Sequence, residues 1–292
     1  MRPPSSRALA PGCALAVLAL SAVPSHAGRP APSAMPPAPA PLALATIAVV
    51  EQRVEVSPGA ARWLAAVEGA PLRVGEALRT GPEAIARLEL PWMSLTIGPS
   101  GALRVPDAKV LAVWLEAGRV VVEAPTRDAL KLLTTEAEVH GRGRAVVRRI
   151  GTATTVSCLA GRFFVAGSGG VVTLAAGQGT VARAGRPLAP AAPLPPPPPA
   201  EGLWPGRDPF YATAGAPVEL RWAGDAGAYS VEILPVGDEV VLLQRDTARS
   251  PLVVALPWEG AFRWRVSGRD ARGLEGPPSE DGLLAVELTR PD

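Results

Sequence analysis

The 292 residues are 48% hydrophobic and 19% charged, enough apolar material for two domains with cores of their own and too much for a chain disordered throughout. Formal charge is +2, and removal of Arg2 and Arg7 with residues 1–27 leaves 27 basic against 27 acidic side chains, which excludes the strongly basic surface that nucleic-acid binding needs. The 34 prolines concentrate in 29–42 and 187–205, so two folded blocks are expected, one between these stretches and one after them.

Residues 1–27 read as a secretory signal peptide. Arg2 and Arg7 form the positive start, Cys13 to Val23 the apolar stretch, and Ser25 and Ala27 the small residues ahead of a cut before Gly28. Pro11 and Gly12 interrupt the apolar run and leave it short of the roughly 18 residues expected of a spanning helix, which favours cleavage over anchoring. Cys13 stands at the start of that run and not at its end, which argues against a lipid anchor. The expected location is periplasmic, secreted or cell-surface, with no transmembrane segment after cleavage. A Pro/Ala-rich linker, 28–44, follows.

The block 45–186 alternates with period 2 instead of carrying helical stripes. Ala86, Leu88 and Leu90 alternate with Arg87 and Glu89, which lays the apolar set on one sheet face. Leu95 and Ile97 follow, then Leu103 and Val105, then Leu111, Val113 and Leu115, with Gly or Pro between the runs; this spacing predicts an all-β fold of short strands. The chain also echoes itself. Ala117-Gly118-Arg119-Val120-Val121-Val122 is matched by Ala160-Gly161-Arg162-Phe163-Phe164-Val165, which predicts two similar halves.

On these residues the block resembles the FecR domain family. The likeness runs through Leu72, Gly75, Leu78, Thr80 and Gly81, then Leu88, Leu90, Leu95, Ile97 and Pro99, then Gly118 before a valine strand, and closes with Val172, Leu174, Gly177 and Gln178. It departs at Pro91-Trp92-Met93, where the family commonly has a polar turn, and at 141–147, where Arg142 and Arg144 interrupt the usual pattern. The resemblance implies a periplasmic or surface β domain that contacts other envelope components. The best-known members signal through a cytoplasmic domain ahead of a membrane helix; only about a dozen residues precede the apolar run here, too few to bury a core.

The stretch 187–207, with five consecutive prolines from Pro195 to Pro199, predicts a stiff polyproline II spacer rising about 3.1 Å per residue. The block 208–290 then resembles a fibronectin type III sandwich, with Val218, Leu220 and Trp222 on one strand, Tyr229, Val231 and Ile233 on the next, and Phe262, Trp264 and Val266 on a later one. Trp222 resembles the family's buried tryptophan. Leu256 and Phe262 resemble its Leu and corner Tyr, without the hydroxyl. Residues 270–279 read as the loop before a last strand at 283–288.

No catalytic constellation is evident. His140 is the one histidine after the signal, beside only Glu136 and Glu138, so neither a metal nor another cofactor is expected. No nucleophile elbow and no phosphate-cradling glycine loop occur. Cys158 lacks a disulfide partner in the mature chain and reads as a small buried apolar residue. Candidate binding residues are Trp92, in a turn-like segment, and Trp114, which points outward if Leu111, Val113 and Leu115 face the core and then needs either a covering element or a ligand. Arg142 and Arg144 join them from the basic cluster His140, Arg142, Arg144, Arg148 and Arg149, which either meets an anionic partner or forms a solvated strand face.

The reading that follows is a non-enzymatic bacterial cell-envelope interaction or scaffold protein, binding an envelope protein or glycan through the FecR-like domain. A periplasmic, ligand-responsive component of a signalling system is the alternative. A degenerate glycosidase is the third, since two carboxylates suffice for that chemistry and 27 are present.

Overall fold

The computed structural model describes residues 43–59, 62–91, 93–106, 112–125 and 131–287. The signal segment 1–27, nearly all of the linker 28–44, Trp92 and Leu111 lie outside the described residues. The fold is all-β, as the alternation predicts, and a single 3-10 turn at Ala200–Gly202 accounts for the helical structure among the described residues. No helix there is long and apolar enough to cross a membrane.

Fifteen strands of the first body, from Ala43–Glu51 to Ala192–Pro193, form one hydrogen-bonded sheet network. Its spine is three long strands, Ala112–Ala124, Ala137–Ile150 and Ala153–Gly167. Ala137–Ile150 pairs along its whole length with Ala153–Gly167, and from Gly143 to Arg149 it also pairs with Ala112–Ala124. Leu88, Leu95, Ile97, Leu103, Val113, Leu115 and Cys158 are buried in one core, as their alternation requires, with Val120, Val147, Val156 and Phe163. Full burial of each large aliphatic side chain contributes roughly 1.5–3 kcal/mol, so this core stabilises the body without a disulfide. Burial pushes the Cys158 thiol up, in keeping with a packing role.

The repeat is geometric as well as sequential. Gly118 and Gly161 adopt φ values of +94° and +80°, where an L side chain is strained. A Cβ at Gly118 would lie 2.6 Å from Gly101 Cα, and one at Gly161 would lie 2.1 Å from the Arg142 carbonyl oxygen. Each glycine lies within a long strand, and the Arg that follows it stands on the face opposite the core residues Val120 and Phe163.

In the second body a six-stranded sheet includes Phe210–Thr213, Gly282–Glu287, Gly260–Arg269, Ala228–Pro235 and Leu243–Thr247, and a two-stranded sheet pairs Pro217–Leu220 with Leu252–Ala255. All nine apolar residues expected at its centre are buried in one core, where Trp222 packs edge-on to Tyr229 at 5.3 Å. The segment read as a loop at 270–279 contains a short strand, Glu275–Pro278, paired with Gly260–Arg269.

The proline-rich stretch is not a free spacer. Ala192–Pro193 pairs with Gln178 and Gly179, Leu194 N donates to Gly177 O, Trp204 exchanges backbone hydrogen bonds with Arg221, and Pro205 O accepts from Trp264 Nε1 at 3.0 Å. Proline lacks a donor but keeps its carbonyl, and its fixed φ suits an extended edge, so the same residues that would make a rod in isolation can be laid along two bodies. Both bodies belong to one compact unit.

Candidate functional site

Strict alternation on Ala137–Ile150 puts Ala137, Val139, Ala145 and Val147 in the core and Glu138, His140, Arg142, Arg144, Val146 and Arg148 on the opposite face. The neighbouring strands extend that face with Thr96, Arg119, Val121 and Ser157. The second body presents Ser230, Glu232, Gln244, Arg265 and Ser267, which alternate with its own core residues. Such polar positions belong in water by pattern alone, yet Thr96, Arg119, Arg148 and Ser157 of the first body and these five of the second are less than a tenth exposed. The polar faces of the two bodies are packed against each other.

An ionic layer fills this interface. The Arg119 guanidinium donates to both oxygens of Glu275, with the shortest contact 2.6 Å, and to Gln244 Oε1 at 3.2 Å. Its Nη2 also lies 2.9 Å from Glu232 Oε1. Arg148 bridges Asp246 at 2.5 Å and Glu275 at 3.2 Å, and Arg265 holds the other Glu232 oxygen at 2.9 Å. The Glu275 backbone N–H donates to Ser157 Oγ at 2.9 Å. Beside the layer, Ile85 of the first body packs with Leu234 and Val241 of the second.

Electrostatics follow from burial opposed by pairing. Burial works to lower the Arg119 pKa, but Glu275 and Glu232 outweigh it and raise it. Burial works to raise the Glu232 carboxyl, but Arg119, Arg265 and Arg144 pull it down to about 2 from 4.5. Asp246 is lowered in the same way, burial being overcome by Arg148 and Arg269. A carboxylate with a depressed folded-state pKa contributes fully above its unfolded value, and that contribution disappears as pH falls toward the folded value. The interface is expected to hold above about pH 4.5 and to weaken between about pH 4.5 and 2, Glu232 alone contributing on the order of 3 kcal/mol. Denaturant unfolding followed by tryptophan fluorescence as a function of pH checks this, and stability that stays flat across that window contradicts it.

The structure separates the candidates that the sequence grouped. Arg148, part of the cluster read as a solvated face or anion site, is buried in the interface because the second body supplies its carboxylates. Arg149 turns to the other face and pairs with Glu136 at 2.9 Å. Arg144 is half-buried, 3.6 Å from Glu123, with its Nε unpartnered; burial and the neighbouring Arg265 lower its pKa against the pull of Glu232 and Glu123. Arg142 is exposed. Trp114 is half-buried and does lie opposite Val113 and Leu115, with the Arg104 guanidinium 5.5 Å from its ring centre. It belongs to a different strand region from Arg142 and Arg144, so these three do not form one site; Trp92 lies outside the described residues.

Arg162 is the residue that sequence reasoning missed. It is exposed and directly opposite Arg142 in the strand pairing, one step from His140, whose ring stacks on Phe164 with centroids 5.3 Å apart. No ion pair joins Arg142 or Arg162 to any carboxylate among the described residues. The echoed Ala-Gly-Arg was the available signal: Arg119 of the first copy faces Arg148, and Arg162 of the second faces Arg142.

No protein-family model matches the chain, and no curated protein is significantly similar to it in sequence. Solved structures with similar shape include two crystal structures of a candidate anti-sigma factor from Parabacteroides distasonis, at 14% identity and TM-score 0.34, covering 40% of this chain and 57% of that one. The chain thus spans little more than half the length of that protein. Domains A168-A170 of titin also match, at 13% identity and TM-score 0.24, over 80% of this chain and 88% of theirs. What those proteins do is not transferred to this chain.

Proposed function

We propose that this chain is a non-enzymatic interaction or scaffold protein of a bacterial cell envelope, exported through its 1–27 segment, which holds an envelope protein or glycan on the first, FecR-like body. The observation that carries the reading is the sheet face beyond the interface, where Arg142 and Arg162 stand exposed with no ion-pair partner among the described residues, beside the His140–Phe164 stack. Cross-strand like charges destabilise a sheet, so two uncompensated arginines directly opposite each other are better explained by a partner than by stability. The second, type III-like body serves as a rigid buttress for that face. A ligand-responsive signalling component is the second reading, favoured by the ionic character of the interface, since a charged layer responds to pH and bound ions where an apolar one does not.

Cross-linking of bacterial envelopes with the full chain as bait, followed by identification of what is retained, tests the proposal. A defined envelope protein or glycan is expected, and retention no greater than on an unrelated β-sandwich bait would refute it. Trp114→Ala belongs in the same experiment. Its ring is half-covered, so the change is expected to cost about 1 kcal/mol or less of stability through loss of the Arg104 contact, and weaker retention would place that strand region in the contact.

A further inference from the structure

The chain contains its own example of what an Arg–Arg pair on this sheet face binds. Arg119 and Arg148 are directly opposed across Ala112–Ala124 and Ala137–Ile150, and Arg142 and Arg162 are directly opposed across Ala137–Ile150 and Ala153–Gly167. Both pairs lie on the face away from the core. Arg119 and Arg162 each follow a glycine with positive φ in the repeated Ala-Gly-Arg sequence. The first pair is covered by protein: Glu275 accepts from both arginines, Asp246 accepts from Arg148, and the Glu275 backbone is fixed to Ser157. Besides the carboxylates, two features of that contact are specific to a polypeptide, namely a backbone N–H to a sheet hydroxyl and a short strand, Glu275–Pro278, to carry it.

We propose that the Arg142–Arg162 pair is the docking site for an acidic polypeptide segment of a partner protein, whose carboxylates take the place on this pair that Glu275 and Asp246 take on Arg119–Arg148. The argument is charge complementarity together with the internal template. The planar guanidinium groups present paired donors that match carboxylates, and the first pair shows this face accepting them from an extended strand. Phe164, half-buried and stacked with His140, gives the docked segment an apolar neighbour. This inference rests on the proposed envelope-interaction role and names the chemistry of the partner.

The test uses the full chain and poly-L-glutamate, with polygalacturonate of matched charge and vesicles containing phosphatidylglycerol as comparison probes. The wild-type chain is expected to bind poly-L-glutamate in preference to the other two, with affinity falling as salt is added. In Arg142→Gln/Arg162→Gln binding should drop by about tenfold or more, as expected for loss of charge-assisted contacts, while the thermal midpoint stays the same or rises as like-charge repulsion is relieved. Equal binding by the double variant, no binding by the wild type, or preference for polygalacturonate or vesicles overturns the proposal. Cross-linking capture with the same double variant separates this failure from that of the broader reading. A partner retained equally by wild type and variant removes the acidic-segment site and leaves the envelope role standing, whereas no specific capture by the wild type removes the envelope role itself.

Discussion

Glu275→Ala is expected to cost about 3–5 kcal/mol, because it removes the carboxylate that neutralises two buried guanidinium groups and leaves Arg119 and Arg148 without their shared acceptor. An exposed ion pair would be worth about 1 kcal/mol or less, and Glu275 is only 2% exposed. The loss should fall on the interface before it reaches either core, since each body keeps its own apolar cluster. Guanidinium unfolding of the variant is therefore expected to split into two steps where the wild type shows one, and protease sites within 187–207 should open at the first step. A loss below about 1 kcal/mol would show that the layer is solvated and contributes no more than surface pairs do. Replacement of Arg119 and Glu275 together by apolar residues should be milder than either single change, because the desolvation of both charges is removed along with their attraction.

Trp264→Ala should destabilise by a similar amount for a different reason. The indole is fully buried at the centre of the second body, and its removal leaves a cavity worth about 3–5 kcal/mol. It also strips the Pro205 carbonyl of its donor, which ties the end of the proline-rich stretch to the body. Trp264→Phe keeps most of the volume and loses only the N–H, so it should fall well short of the Ala variant. Thermal unfolding of the two variants compares the terms, and equal losses would mean that the hydrogen bond, not the packing, dominates at this position.

Much of the fold was legible because period-2 alternation is a local signal. Val218, Leu220, Trp222 and the six residues that alternate with polar neighbours after them are core, as are Leu88, Leu95 and Ile97 in the first body. The candidate site was legible only in part. Arg142 is exposed, but Arg148 and Arg144 are drawn toward the second body, and Arg162, which lies opposite Arg142, is on the next strand, outside the cluster from His140 to Arg149. Trp114 stands off the core face as its register predicts, beneath an arginine from another strand.

Period-2 alternation depends on residues close together in the chain, so the sequence by itself determined the all-β class and the apolar faces. Which polar face meets water was decided only by the tertiary structure. Arg119, Arg148, Glu232, Gln244 and Arg265 occupy positions that read as solvent-facing on their own strands, and they are buried because the other body's polar face covers them, with partners 98 residues apart in Arg148–Asp246 and 156 apart in Arg119–Glu275. Charge complementarity between distant strands leaves no local periodicity to read. The same physics separates the two cross-strand arginine pairs, each with one member in the repeated Ala-Gly-Arg: Arg119 and Arg148 meet carboxylates of the second body, whereas Arg142 and Arg162 are exposed and meet none among the described residues.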